Sequence, residues 1–395
     1  MELITKKEDL IPLYNLIDQH KVVCLDLEFV PERTYYPVLC LVQCCVKGEP
    51  FVIDPLKIND LSELWSRVVD PSVKSIFHAA SQDLQLIFQQ SDLIPKNIFD
   101  TQVAAGFAGL GYSAGYRKLL QEVLAVNIPK TESFSDWQAR PLTASQIDYA
   151  VNDVIHLEPL ADEIEKRLER LNRLSWALEE CQSYEDEELY RPDRSREFFR
   201  IKGSNKLTNR GLAVLRELWQ FRDEEAQRQN KPPRLILQDN AMIEISRRHS
   251  KSMSDLKKLR GIRSDQIHRY GDEILECVKA GMDCPSSELP SLPTGKPPHR
   301  SEVIASDFIY LLLKTFADEL NLATEHIATR DEIQALIKCS GEELKGKREN
   351  IRLTSGWRRS VIGEKLISIV EGARVELSIS NDNSRARSLN IEIND

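Results

Sequence analysis

KVVCLDLEFV, residues Lys21 to Val30, sets two acids inside an otherwise apolar run. Val22, Val23, Cys24, Leu25, Leu27 and Phe29 mark the run as a strand. Successive strand side chains project to opposite faces, so Asp26 and Glu28 share one face and converge, while alternation sends Phe29 to the other face as a packing residue. Two neighbouring carboxylates repel, and burying them is costly unless a cation lies between them. Mg²⁺ or Mn²⁺, which prefer oxygen ligands, would remove that cost. Alone, the stretch reads first as solvated acids at an exposed strand end, so the rest of the chain has to supply partners.

Strand signals rich in Val, Ile, Phe and Cys cover Val22–Phe29, Val38–Val46, Phe51–Ile53 and Ser75–Phe77, the first three close enough to pair as antiparallel hairpins. Helical patterns follow at Ser81–Gln90, Thr101–Gly106, Tyr116–Val123 and Ala144–Arg170. The result is a mixed sheet with helices packed on it, an α/β or α+β layer domain. In SIFHAASQDLQLIF, Asp83 falls just inside a helix that follows a buried strand. In SQIDYAVNDVIHL, Tyr149 and Asp153 stand four apart on one side of a helix whose apolar stripe is Ile147, Val151, Val154 and Ile155.

At 395 residues the chain has room for two or three domains. With 41% hydrophobic and 29% charged residues, it has the make-up of a globular protein. The N-terminal stretch is amphipathic and charged, unlike a signal peptide, and no apolar run suits a membrane span, so a cytoplasmic protein is expected. Eight cysteines include no CxxC pair, and Cys24, Cys40, Cys44 and Cys45 lie in apolar runs; reduced buried thiols are expected, not a zinc site.

The net charge of −9 conceals an uneven distribution. EECQSYEDEE, Glu179 to Glu188, carries six acids, whereas Lys206 to Ala280 holds sixteen basic against eleven acidic side chains. That basic segment reads as a compact helical unit, opening at LTNRGLAVLRELWQFRDEEAQRQN with Thr208 as N-cap, and is compatible with binding phosphates. CPSSELPSLPTGKPPHRS is a proline-rich linker. SDFIYLLLKTFADELNL to SGWRRSVIGEKLISIVEG forms a second helical unit, and SISNDNSRARSLNIEIND is a polar tail expected to fray.

The order D-x-E, then D, then Y-x-x-x-D resembles the DEDD superfamily of 3′-to-5′ exonucleases in its tyrosine subclass. DLEFVPERTYYPVLCLVQ, FHAASQDL and SDWQARPLTASQIDYAVNDV are similar to bacterial ribonuclease D. LRELWQFRDEEAQ and LKKLRGI resemble its first HRDC domain, and LTSGWRRSVIGEKL the end of its second. Many relatives have a threonine between the first two acids, where this chain has Leu27, so a contact from that threonine to the terminal nucleotide does not carry over.

The resemblance implies an α/β, ribonuclease H-like exonuclease domain, a mixed sheet with flanking helices, followed by two all-α HRDC modules. The expected boundaries are 1–175 for the exonuclease domain, 176–205 for an acidic connector and 206–281 for the first HRDC domain. A linker at 282–300, a second HRDC-like domain at 301–378 and the tail at 379–395 complete the chain. The implied chemistry is hydrolysis of RNA from its 3′ end, mainly precursor tRNA with 3′ extensions, using two divalent ions about 4 Å apart. Asp26 would bridge both ions, Glu28 and Asp153 would hold the one that activates water, and Asp83 the one near the leaving group. Tyr149, a phenol protonated at neutral pH, would orient the water rather than act as base. His78 and His156 read as structural or substrate-side residues.

Arg216, Arg222, Arg247, Arg248, Lys257, Lys258, Arg260 and Arg263 are the candidate RNA-binding side chains of the first HRDC domain. Tyr35, Tyr36 and Arg33, between two strands, could line the cleft. No membrane association and no obligate protein partner are expected. Two other readings stand beside this one: a DNA-directed 3′-to-5′ exonuclease and a non-catalytic HRDC nucleic-acid-binding protein. The lack of a GxxxxGK[ST] loop disfavours a helicase assembly.

Overall fold

The computed structural model describes residues 2–129, 132, 135–191, 193–292, 298–339, 351–380 and 388–394. Its N-terminal unit is a five-stranded sheet in the order β3-β2-β1-β4-β5. The strands are β1 (Val22–Val30), β2 (Val38–Val46), β3 (Glu49–Ile53), β4 (Lys74–Phe77) and β5 (Ile98–Asp100). β1 pairs antiparallel with β2 and β2 with β3, whereas β4 runs parallel to both β1 and β5. Lys47 and Gly48, both at positive φ, form the tight turn between β2 and β3 that the twist of a hairpin favours. The acidic strand is thus the middle strand of the mixed sheet, a place the order of apolar runs did not by itself give.

Helices α1 (Ile11–His20), α2 (Ser62–Val68), α3 (Ser81–Ser91), α4 (Thr101–Phe107), α5 (Tyr116–Leu124), α6 (Ala144–Ile155), α7 (Leu157–Arg170) and α8 (Leu174–Gln182) surround the sheet. The helix expected over Ala144–Arg170 is two helices. Pro159 has no N–H to offer the Ile155 carbonyl, so α6 ends there and the chain turns at His156 before α7. α8 was expected inside an acidic connector, yet Ala177 and Cys181 are fully buried against the exonuclease unit, so the boundary at 175 cuts a packed helix. β5, three residues long, was not anticipated at all.

The central unit comprises α9 (Asn209–Gln229), α10 (Pro233–Ile236), α11 (Asp239–Arg248), α12 (Met253–Leu256) and α13 (Ser264–Asp283), with a core of its own that includes Leu215, Leu218, Met242 and Ile274. Thr208 caps α9 as its position suggests, its hydroxyl accepting the Gly211 N–H at 3.1 Å. Gly261, at φ +92, makes the corner between α12 and α13 that LRGI announces.

The C-terminal unit holds α14 (Arg300–Glu319), α15 (Thr324–Ile327), α16 (Arg330–Lys338), α17 (Gly356–Arg358), a π turn at Arg359–Gly363 and α18 (Glu364–Glu371). Leu312, Leu313, Ile327 and Trp357 belong to the same buried cluster as the sheet and α1–α8. Trp357 stacks on Trp176 of α8 with ring centroids 5.4 Å apart, and the Glu179 carboxylate accepts the Trp357 N–H at 3.1 Å. The segment expected to fray begins in a strand: β6 (Arg374–Ser380) pairs antiparallel with β7 (Ser388–Asn394). Val375, Ile391 and Ile393 pack on the helices, which gives the tail an apolar anchor that its overall polarity hides. Residues 293–297 of the expected linker and 381–387 of the expected tail lie outside the described residues.

Candidate active site

Asp26 and Glu28 project from β1 beneath α6, where Asp153 faces them. One ligand oxygen from each of these three carboxylates lies within 4.8 Å of the others. Asp83, in the first turn of α3, is not in that tight group but lines the same cleft, a cavity of about 290 Å³ bounded also by Leu27, Phe29, His78, Gln82, Tyr116 and Tyr149. No lysine or arginine among the described residues lines it.

The electrostatics follow from that composition. Burial, then the neighbouring Asp83, Asp153 and Glu28 charges, push Asp26 far above the carboxylate range. Burial raises Glu28 to about 8, aided by Asp153 and Asp83, and raises Asp83 to about 8, aided by Asp100. Asp153 rises to about 7 through burial, with the Tyr149 hydroxyl pulling the other way. Tyr149 itself is half-buried against Trp137, at 5.9 Å between ring centroids, and burial pushes its phenol above its ordinary range. Gln43, opposite Asp26 on β2, is wholly buried, and its amide has no hydrogen-bond partner among the described residues. Half-buried oxygen ligands with no basic side chain beside them among the described residues fit a hard divalent cation.

Phe29 packs on the core, as alternation led one to expect, and also borders the cleft; Glu28 pairs with Leu41 but Phe29 with Leu39, so Cys40 is the extra residue of a bulge on β2. His78 lines the cleft with its Nδ1 3.0 Å from the Thr101 hydroxyl, and burial lowers its pKa; it is held, as a structural residue would be. His156 sits at the α6–α7 turn, next to the lining residue Leu157 but not itself among the residues lining the cleft. Tyr116 and Gln82 were missed, because neither type announces a site by spacing. Tyr116 packs on His78 and donates to the Asn152 carbonyl at 3.3 Å.

The candidate RNA-binding side chains divide. Arg222 is buried, bonded to Asp239 at 2.5 Å and to the Leu237 carbonyl at 3.3 Å, so it ties α9 to α11 and is not available to RNA. Its position on the inner face of α9 was invisible in a count of basic residues. Arg216 is half-buried beside Glu217, and Arg247 and Arg248 both pair with Glu244. Lys258 and Arg263 are exposed with loose or local acid partners, Asp255 and Asp265. Lys257 and Arg260 are exposed and take part in no ion pair among the described residues. The β1–β2 loop does not line the cleft: Tyr35 packs into the core of the central unit, Tyr36 donates its N–H to Asn230 at 3.2 Å, and Arg33 bonds Asp136.

A carboxylate-lined cleft on a mixed sheet, followed by helical units, defines a nuclease of the 3′-5′ exonuclease class: the family model described as 3'-5' exonuclease matches residues 1–169, and that of the HRDC domain matches residues 211–278. Ribonuclease D of Gluconacetobacter diazotrophicus is 35% identical over 94% of this chain and 93% of its own. That of Bartonella henselae is 29% identical over 98% and 94%. The crystal structure of Escherichia coli RNase D, described as an exoribonuclease involved in structured RNA processing, superposes with a TM-score of 0.82 at 28% identity, covering 94% of this chain and 98% of that one. The chain belongs to the ribonuclease D family and is a 3′-to-5′ exoribonuclease. The DNA-directed and non-catalytic readings are accordingly disfavoured. No helix among the described residues is long and apolar enough to cross a membrane.

Proposed function

We propose that the protein trims 3′ extensions from precursor tRNA in the cytoplasm, with Asp26, Glu28, Asp83 and Asp153 holding two divalent cations and Tyr149 completing a tyrosine-subclass site. The carrying observation is the convergence of Asp26, Glu28 and Asp153 within 4.8 Å from two distant elements. Held there, Mg²⁺ or Mn²⁺ would supply Lewis acidity to the attacking water and would neutralise charge on the departing 3′-oxygen. Asp26 feels the charges of Asp83, Asp153 and Glu28 alike, which supports reading it as the ligand shared between the two ions. The Tyr149 phenol, kept protonated by burial, acts as a hydrogen-bond donor that orients the water. Phe29 offers an aromatic face to the terminal base at the place where Leu27 offers none of the polar contact a threonine would.

The C-terminal unit is read as a second HRDC domain. Its helices run long, short, medium in the order of the central unit, α14, α15 and α16 repeating α9, α10 and α11. Lys257, Lys258, Arg260 and Arg263, around the Gly261 corner, are the exposed charges best placed to hold RNA phosphates. Arg216, Arg247 and Arg248 remain candidates with acids beside them. The test is to incubate the protein with 3′-extended tRNA and with matched single-stranded DNA, in Mg²⁺, in Mn²⁺ and in EDTA. Stepwise, metal-dependent shortening of the tRNA alone supports the reading; preference for DNA, or shortening in EDTA, overturns it.

A further inference from the structure

Asp100 ends β5 and is fully buried. One carboxylate oxygen accepts the Gln102 N–H at 2.8 Å, which caps α4. That much is an ordinary N-cap. The same carboxylate also reaches across the sheet: Oδ1 accepts the Ala79 N–H at 2.9 Å and Oδ2 accepts the Ala80 N–H at 2.9 Å. These two amides form the elbow between β4 and α3. Ala79 sits there at φ +62, a left-handed conformation that an L-residue with a Cβ adopts only when its surroundings hold it. No side chain caps α3 from within its own sequence. The elbow decides where α3 begins, and Gln82 and Asp83 enter the cleft from its first turn.

Behind Asp100 stands Tyr184, from the acidic stretch after α8. Its hydroxyl donates to Oδ2 at 2.9 Å, and the Asp100 N–H in turn points to the Cys181 sulfur at 3.4 Å. α8 is anchored by the C-terminal unit, through Trp357 on Glu179 and Arg358 on Glu180 at 2.8 Å.

We propose that Asp100, oriented by Tyr184, is a positioning residue for Asp83, fixing the strained Ala79 elbow so that the Asp83 carboxylate stands where a cation can share it with Asp26. This rests on the reading of Asp83 as a metal ligand. Two amides, one strained residue and one buried carboxylate make the chain of contact, and Tyr184 sets which way the carboxylate lies.

The experiment titrates Mn²⁺ alone into the full-length protein, following free Mn²⁺ by electron paramagnetic resonance, and measures kcat and KM for RNA in parallel. Asp83→Asn serves as the reference. If it leaves Mn²⁺ binding unchanged, the ligand reading itself fails. Tyr184→Phe removes one hydroxyl and is expected to weaken Mn²⁺ binding and kcat about 10-fold, the usual size for loss of an outer partner of a ligand, with KM unchanged. Tyr190→Phe is the structural control, because its hydroxyl bonds the Tyr184 carbonyl at 2.6 Å and does not touch Asp100. It should leave Mn²⁺ binding within about 2-fold of wild type. Adding Ala79→Gly to Tyr184→Phe, which relieves the left-handed strain, should recover part of the loss. The proposal is overturned if Tyr184→Phe binds Mn²⁺ as wild type does, if Tyr190→Phe weakens it equally, or if Ala79→Gly restores nothing.

Discussion

The Tyr35 hydroxyl donates to an Asp223 carboxylate oxygen at 2.9 Å across 188 residues of sequence. Asp223 also takes Arg194 at 2.8 Å and Gln227 at 2.7 Å, so the loop leaving the acidic strand is tied to the long helix of the HRDC domain by a shared, mostly buried carboxylate. Tyr35→Phe breaks this tie with little loss of volume. Hydrolysis of a short single strand should stay near wild type, while kcat/KM for a structured RNA falls about 3- to 10-fold. Equal effects on both substrates would mean that the tie serves stability alone.

Asp26→Asn should abolish cleavage, with a loss of at least about 10³-fold, because on the proposed two-cation reading a neutral amide would remove the ions' common anionic ligand. Binding of 3′-extended tRNA, measured by filter retention or anisotropy, should stay within about 2-fold, since phosphate contacts elsewhere supply affinity. Cleavage at the wild-type rate would refute the metal assignment.

Metal removal should show itself in stability. Glu28 and Asp83 at about 8 and Asp153 at about 7 are carboxylates raised above their unfolded values, so the folded protein binds more protons than the unfolded one. In EDTA their contribution is complete below the ordinary carboxylate range and is lost as pH rises through 7 to 8. Mg²⁺ should therefore raise Tm more at pH 8 than at pH 6, an increment followed by scanning calorimetry. The same increment at both pH values would show that these acids do not face one another as described.

His326 reports on the C-terminal unit. It is buried between Phe107 and Tyr112, Phe107 in turn packing on Trp357, and a Cβ on Gly106 would come within 1.9 Å of its ring. Burial lowers it to about 4, with Glu180 and Glu325 opposing and Arg358 and Arg352 assisting. A depressed histidine stabilises the fold above its unfolded pKa and loses that contribution as pH falls, here from about 6.5 toward 4, by up to about 1.4 kcal/mol per pH unit. His326→Gln should flatten the fall of Tm across that interval, and an unchanged slope would exclude the histidine. Trp357→Ala, which empties the same interface, should cost about 3–5 kcal/mol and melt the catalytic unit along with the C-terminal one.

Two arginines of the HRDC domain should part company. Arg222→Ala strands the Leu237 carbonyl and Asp239, so it should lower stability by about 2 kcal/mol while barely changing RNA affinity per folded molecule. Arg260→Ala should leave Tm unchanged and weaken RNA binding, with a shallower salt dependence. The reverse pattern in thermal melts and anisotropy would reverse the two assignments.

Much of the site was legible because it is written in local periods. Asp26 and Glu28 follow the two-residue period of a strand, and Tyr149 and Asp153 the turn of a helix, so their shared faces survive any detail of packing. Asp83 follows from a strand-to-helix change in pattern. What stayed hidden depends on partners distant in sequence. The bulge at Cys40 shows only when β1 and β2 are paired, and Arg222 turns inward because Asp239 waits there. Asp100 gave no signal at all, since three residues make a strand only when β4 lies beside them. Net charge and spacing could not separate a structural arginine from one open to solvent.

The shared core has a consequence for how the protein comes into being. The face bearing Phe107 and Trp176 waits for Trp357, so synthesis must run almost to the end of the chain before that face is covered. The HRDC domain, with its separate core, can close as soon as it emerges. Topologically it is a loop carried between two halves of one folding unit. A chain stopped after residue 284 would therefore be an unfinished nuclease, not a smaller one, and a designer could excise the HRDC domain more safely than the C-terminal helices.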